Sequence, residues 1–462
     1  MSLINSIKNH YYDIPEPILQ LAGAVFYKIP RDYRYGKTFL ETTRLLKKME
    51  YCSENEIKEI VNENFSSIVK YAYKHVPFYK KLYNKHNVDI SKIKGINDIV
   101  KLPFIDKDTI RDHAFEMISN DVNKSKLMYI TTSGSTGNPV GFYQLQEMTM
   151  IEWAYTLHIW SRVGYKPESS RLVLRGKKIR NQKNSNWYYD PLRRELSCNI
   201  FDLSDSNIEL YIQLIEKYKP EFIHGYMSAI FVIAKYIESK RIVLKHNFKA
   251  ILATSENILP IQREFVERIF NTRVFSFYGH SERLIIAGEC EHSHCYHVEP
   301  SYGYCEIIDQ FGEQAKSGEI VATGFLNYAM PLIRYKTGDV GTFGNNNCTC
   351  NRHYQNLEEV SGRWHQDMLV NSDGTFVSLT ALNIHTKELD KVKRYKIIQN
   401  EKGIVKMQIM PFDELTTQDK KAIKEVFEEK TKDKIIFEID IVKNITLQKN
   451  GKYRIIEQNI KI

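Results

Sequence analysis

The chain has 462 residues, 42% hydrophobic and 26% charged, a composition that fits a globular protein of roughly two to four domains and argues against a disordered or low-complexity chain. Its 65 Lys and Arg against 56 Asp and Glu leave a net charge of +9. Nucleic-acid binding is one reading of that excess; a lysine-rich solvated surface is the plainer one, and a positive field also suits a polyanionic substrate.

Residues 1–13 hold no apolar signal core, and the apolar stretch 18–27 is far too short to span a bilayer. That stretch reads as a buried helix of the fold, or as an amphipathic helix making a peripheral membrane contact. Seven cysteines, an odd number with no export signal, argue against a disulfide framework and fit a reducing cytoplasm.

Residues 1–120 read as mainly helical. Ile57, Ile60, Val61, Phe65, Ile68 and Val69 recur at helical spacing, and Pro77 closes that segment. From about 127 to 345 short apolar runs alternate with helical stretches. Leu172–Leu174, Phe222-Ile223, Ala250–Leu252 and Val274–Phe277 read as strands, with helices at 208–218, 229–239 and 261–269 between them. The alternation predicts a mostly parallel sheet with covering helices. Runs at 306–308 and 319–322 suggest a later, more antiparallel sheet. After Gly362-Arg363 the pattern predicts a small α+β domain, with strands at 395–398, 404–409 and 435–442 and a helix at 419–431.

Five stretches carry chemistry. Thr131-Thr132-Ser133-Gly134-Ser135-Thr136-Gly137 offers flexible backbone N–H groups and hydroxyls to an anion, though a hairpin could look the same. It is not a P-loop, since no Lys follows Gly137. Tyr278-Gly279-His280-Ser281-Glu282 follows a predicted strand, where open α/β sheets bind ligands. A Tyr there can stack on a base, and a carboxylate can hold Mg²⁺. Thr337-Gly338-Asp339 could present a carboxylate to ribose hydroxyls, or be a structural turn. Ser361-Gly362-Arg363 sits at the change of character, and Lys449-Asn450-Gly451-Lys452 is a turn bearing a lysine that could swing into a site.

In this order and spacing, the five stretches resemble the adenylate-forming superfamily of acyl-CoA synthetases, adenylation domains and luciferases. The nearer resemblance is to the phenylacetate–CoA ligase branch and its CapK-like members, which are encoded with surface-polysaccharide genes. Val76-Pro77-Phe78-Tyr79, Leu102-Pro103-Phe104, His224-Gly225-Tyr226-Met227-Ser228 and Arg34-Tyr35-Gly36 fit that branch.

The resemblance implies an α/β fold: a large N-terminal domain, 1–362, of stacked mixed β-sheets with covering helices, and a small mobile α+β lid, 363–462. It implies ATP- and Mg²⁺-dependent adenylation of a carboxylic acid, pyrophosphate release, and acyl transfer to CoA. Transfer to an amine or sugar instead, giving an amide or ester, is the alternative. Thr132, Ser133, Gly134, Ser135, Thr136 and Gly137 would cover the phosphates. Tyr278, with Gly279 and Ser281 beside it, would stack on adenine, and Ser255 and Glu256 would form another wall. Glu282 would bind Mg²⁺, Asp339 and Arg363 the ribose, and Lys452 the carboxylate and α-phosphate. The hinge falls on Asp367 in preference to Gln366, as Gly362-Arg363-Trp364-His365-Gln366-Asp367-Met368 is one residue longer than the family's Gly-Arg-x-Asp-Asp-Met. Tyr226, Met227 and Ser228, with Trp153 and Trp187-Tyr188-Tyr189, either line the acid pocket or pack.

Five of the seven cysteines fall between positions 290 and 350. Cys290, His297, Cys348 and Cys350 make a donor set suited to structural tetrahedral zinc, and the resemblance picks the same four. His292, His294, Cys295 and His353 compete locally, and Cys305 reads as buried filler. A non-enzymatic, zinc-stabilised nucleic-acid binder is the rival class. It predicts basic residues near the cysteines, where Glu289, Glu291 and Glu299 stand instead.

Overall fold

A computed structural model of the protein describes residues 16–131, 140–175, 186–345, 348–361, 368–374, 376–378, 387–389, 391–431, 433–447 and 453–460. The chain opens with helices α1 (Glu16–Lys28), α2 (Arg31–Met49), α3 (Glu54–His75), α4 (Pro77–Lys85) and α5 (Lys107–His113). Helix α3 starts on a capping box: the Ser53 hydroxyl accepts from the Glu56 N–H, and the Glu56 carboxylate accepts from the Ser53 N–H. Pro77 does end the α3 pattern, and it does so by opening α4 at its first turn, where a missing N–H costs nothing.

An antiparallel hairpin, β1 (Leu127–Thr131) and β2 (Gly141–Leu145), precedes α6 (Met148–Ser161). There follow β3 (Arg171–Leu174), β4 (Trp187–Asp190), β5 (Glu195–Cys198), α7 (Asp205–Tyr218), β6 (Phe222–Gly225), α8 (Met227–Ser239), β7 (Ala250–Ala253) and α9 (Pro260–Phe270). Strands β8 (Val274–Gly279), β9 (Ile286–Glu289), β10 (Tyr296–Val298), β11 (Gly303–Ile308), β12 (Ser317–Gly324), β13 (Tyr335–Phe343) and β14 (Asn356–Ser361) come next. Beyond β15 (Met368–Val370) and β16 (Phe376–Ser378) lie β17 (Val392–Glu401), β18 (Ile404–Pro411), α10 (Thr417–Lys430), β19 (Ile436–Ile441) and β20 (Ile456–Gln458).

The chain divides into two compact units, one of residues 1–28, 168–275 and 362–462, the other of 29–167 and 276–361. In the first, β3, β5, β6 and β7 run parallel in the order β7-β6-β3-β5, and β4 adds an antiparallel edge. Strands β6 and β7 are buried along their whole length, as parallel strands covered on both faces must be. Helix α1 packs Leu19 inward, sets Gly23 against Pro191 and donates its Tyr27 hydroxyl to the Leu192 carbonyl; Ile18, Leu21 and Val25 stay exposed on its other face.

The separate C-terminal domain has its own core. Leu369, Ile397, Val405, Met407, Ile423, Phe427 and Phe437 meet between α10 and the sheet β19-β18-β17-β20. Thr416 and Asp419 close a capping box at the start of α10.

The second unit carries the antiparallel sheet, in the order β11-β12-β13-β14-β10-β9-β8. Its core joins Phe65, Ile68 and Val69 of α3 to Ile307, Ile320 and Tyr335 of the sheet. The mixed α/β architecture expected from the alternation is the one observed. Among the described residues, no helix is long and apolar enough to cross a membrane.

Candidate active site

Two motif stretches that are far apart in sequence meet in the second unit. Strand β8 ends at Tyr278 and Gly279, pairing with Ala287 and Ile286 of β9. On β13, Thr337, Gly338 and Asp339 bulge out, because Glu319 pairs with Val340 while Val321 pairs with Lys336. Gly338 makes that bulge at φ +77°, a conformation any side chain would strain. The Asp339 N–H donates to the Thr337 hydroxyl at 3.1 Å and the Gly338 N–H to Glu319 Oε1 at 3.2 Å, fixing the loop. Across from it the Tyr278 hydroxyl donates to Asp339 Oδ2 at 2.8 Å. Burial, and then the Asp339 charge, hold the Tyr278 phenol well above its ordinary pKa.

Past the exposed Ser281, Glu282 is buried, 6% exposed, and its Oε1 accepts the Tyr335 hydroxyl at 3.1 Å. A carboxylate held in place by a neutral hydroxyl offers hard oxygen ligands, so its chemistry fits a hard metal ion. Tyr278, Glu282 and Asp339 thus belong to one unit, linked through Tyr335 and the β13 bulge.

The stretches 76–79 and 102–104 turn out to brace that unit. The buried Tyr79 hydroxyl donates to the Pro331 carbonyl and accepts from the Ile333 N–H, both at 3.0 Å. Residue 105 docks alongside β13: the Ile105 N–H donates to the Arg334 carbonyl and the Lys336 N–H to the Ile105 carbonyl. Arg334, itself at φ +54°, pairs with Glu306 at 2.9 Å, donates to the Leu102 carbonyl at 2.6 Å and stacks over Phe104 at 4.0 Å. Periodicity cannot reveal such long-range contacts. The aromatic and Pro-rich character of both stretches was the only signal.

The first unit holds the other candidates. Ser255 is exposed at φ +65°, its hydroxyl 3.2 Å from that of Thr254. Glu256 accepts from the Ser228 N–H at 2.9 Å, the Ser228 hydroxyl at 3.0 Å and the Tyr453 N–H at 2.8 Å. Tyr226 and Met227 are buried in the hydrophobic core of this unit, and Trp187 and Tyr189 of β4 pack on Tyr218. In the second unit, Trp153 on α6 packs edge-on to Trp160. Thr132, Ser133, Gly134, Ser135, Thr136, Gly137, Arg363, Asp367 and Lys452 lie outside the described residues.

A thiol and imidazole cluster stands beside β9 and β10. Ligand atoms of Cys290, Cys295, His297 and Cys348 all lie within 4.8 Å of one another. The Cys290 and Cys348 sulfurs are 3.4 Å apart, and the Cys350 sulfur is 3.2 Å from His297 Nε2. Cys295 thus completes the mutually close set where Cys350 was expected, while Cys350 approaches it on the His297 side. Three thiols and an imidazole at that spacing fit the donor set of tetrahedral zinc. The surrounding acids have other partners: Glu291 binds Arg352 at 2.7 Å while also standing 3.7 Å from the Cys290 sulfur, Glu299 binds Arg162, and Glu289 accepts from the Ser276 N–H at 2.8 Å and lies 2.6 Å from His294 Nδ1. Cys305 is fully buried in β11, as a filler would be.

Known proteins resemble the chain in sequence and in fold. Residues 369–459 match the CapK C-terminal domain. The chain is 29% identical over 341 residues to Protein CapK of Staphylococcus aureus, covering 73% of this chain and 72% of that one. It is 24% identical over 338 residues to the phenylacetate-coenzyme A ligase of Thermus thermophilus, covering 70% of this chain and 73% of the relative. Among solved structures, 2-hydroxyisobutyryl-CoA ligase in the postadenylation state with 2-HIB-AMP matches the fold at a TM-score of 0.66 and 16% identity, over 86% of this chain and 88% of that one. The fold is that of the adenylate-forming ligases. By sequence the chain is a homologue of Protein CapK and of the phenylacetate-coenzyme A ligases.

Proposed function

We propose that the protein activates a carboxylic acid with ATP, forming acyl-AMP and pyrophosphate, and then transfers the acyl group to CoA. The observation that carries this reading is the Tyr278–Asp339 pair, an aromatic ring joined to a carboxylate in one unit, seated on a rigid β-bulge. In that role Tyr278 offers its face to adenine and Asp339 accepts from the ribose hydroxyls. Glu282 is the residue that would hold Mg²⁺, which when bound neutralises charge on the phosphates.

Attack of a carboxylate on the α-phosphate brings two anions together. Lys452, with Thr132, Ser133, Gly134, Ser135, Thr136 and Gly137, would supply positive charge and N–H donors there, and Arg363 a second ribose contact. Asp367 would be the hinge for the C-terminal domain, so turnover would include a conformational step. Relatives named phenylacetate-coenzyme A ligase support CoA as acceptor. The resemblance to CapK-like proteins would place the reaction in capsule or surface-polysaccharide assembly, where an amine or sugar hydroxyl is the second acceptor to test. Zinc held by Cys290, His297 and Cys348, with Cys295 or Cys350 as the fourth ligand, would be structural, because four protein ligands leave no open position.

ATP–pyrophosphate exchange with a panel of carboxylic acids tests the proposal. At least one acid should support exchange, and Lys452→Ala should abolish it. Silence with every acid, or a mutant equal to wild type, overturns the reading.

A further inference from the structure

A second polar cluster lies next to the Tyr278 turn. The His280 ring stacks on that of Tyr278, with centroids 5.7 Å apart and planes at 15°. Both of its ring nitrogens are buried and neither has a hydrogen-bond partner among the described residues. Glu152 reaches the same place from α6, where the Tyr302 hydroxyl donates to it and Arg283 Nε stands 4.0 Å away. Arg283 Nη1 is likewise buried without a partner. Burial pushes the Glu152 carboxyl up, opposed by Arg283, Tyr302 and His280.

A buried donor or acceptor left unmade costs about 1–3 kcal/mol, so two side chains ending this way at one place call for an occupant. The ligand they suit can be read from their chemistry. Glu152 accepts, Arg283 donates, and imidazole can do either. A hydroxyl, which donates once and accepts, satisfies such a set without adding charge. An ammonium would face Arg283, a second carboxylate would face Glu152, and a hydrocarbon would leave the His280 nitrogens and Arg283 Nη1 unpaired.

We propose that Glu152, His280 and Arg283 recognise a hydroxyl on the acid, so that the substrate class is hydroxylated carboxylic acids. This rests on the ligase reading above, in which Tyr278 and Glu282 bracket the nucleotide. His280 lies between them in sequence and stacks on Tyr278, which sets this cluster beside that nucleotide site.

The test is ATP–pyrophosphate exchange with matched pairs: 4-hydroxyphenylacetate and phenylacetate, 2-hydroxyisobutyrate and isobutyrate, 3-hydroxybutyrate and butyrate. In at least one pair the hydroxylated acid should win by roughly 10- to 100-fold in kcat/KM, the scale of one hydrogen bond to a charged group. His280→Phe keeps the ring on Tyr278 and should cut that preference to within about threefold, through KM for the acid and with KM for ATP little changed. His280→Gln should restore part of it. If His280→Phe does not fold, Glu152→Gln gives the same readout. Exchange that is indifferent to the hydroxyl, or a preference that survives both variants, overturns this inference and leaves the ligase reading standing. No exchange with any acid overturns the ligase reading itself, and this inference with it.

Discussion

Tyr278 and Asp339, 61 residues apart in sequence, are joined by a 2.8 Å hydrogen bond from the phenol to the carboxylate. The bond makes each residue's position depend on the other: the ring cannot turn without releasing Asp339, and the β13 bulge that carries Asp339 sets the ring's tilt. Asp339→Ala should therefore raise KM for ATP by about tenfold or more in exchange kinetics, by removing a charge-assisted contact and freeing the ring. Tyr278→Phe keeps the ring and loses one hydrogen bond, about 1 kcal/mol or roughly fivefold. Tyr278→Ala should cost clearly more. Equal effects of Phe and Ala would remove the stacking role.

The cysteine cluster makes a compositional prediction. Protein purified without chelator should contain about one zinc per chain, and both Cys290→Ser and Cys348→Ser should lower metal content and melting temperature together. Because Cys295 and Cys350 are both within reach of His297, single Ser variants at those positions identify the fourth ligand: the true one loses metal and the other keeps it. Full metal retention in Cys290→Ser would refute the site.

Arg334 tests the bracing of the site. Its guanidinium is buried against Glu306 and the Leu102 carbonyl, so Arg334→Ala strands a buried carboxylate and should cost about 3–5 kcal/mol in denaturant unfolding. Lys cannot reproduce the fork that serves both partners, and Arg334→Lys should recover little of the loss. A variant within about 1 kcal/mol of wild type would mean that the contact is not structural.

His224, on the fully buried β6, is held well below its ordinary pKa by burial, with Arg171 and Arg175 adding to the effect. Its folded-state pKa is depressed, so below about pH 6.5 the unfolded chain binds a proton that the native state refuses. This residue's contribution is complete above pH 6.5 and is lost progressively as the pH falls from there. His224→Gln should flatten the decline of stability below pH 6.5 relative to wild type, measured by denaturant midpoints across that range. Parallel curves for the two proteins would contradict the assignment.

How much of this was legible beforehand depends on range along the chain. The strands around 172, 222, 250 and 274 and the helices between them stand where local hydrophobic runs place them, because strands that run through a core need continuous apolar stretches. The C-terminal α+β pattern was equally readable. Pro77 shows a limit: its restricted backbone marks a boundary without saying whether a loop or another helix follows. Tyr79 and Phe104 show a deeper one. Their partners lie near residue 333, and no local period encodes a contact more than 200 residues away. Cys295 was visible only as a competitor, since spacing names the thiols in a region but not which sulfurs converge. No local pattern gives His280 a role; its buried, unpartnered ring nitrogens suggest one.

The carboxylate of Glu256 sits on the first turn of α8, taking the N–H and hydroxyl of Ser228. Helix openings after parallel strands are the usual seat of nucleotide phosphates, because their amide hydrogens and dipole attract negative charge. Here that seat is already filled by the chain's own anion, which would repel a second one. In the proposed reaction a triphosphate would thus be turned away from this berth, and its phosphates would need donors from elsewhere in the chain.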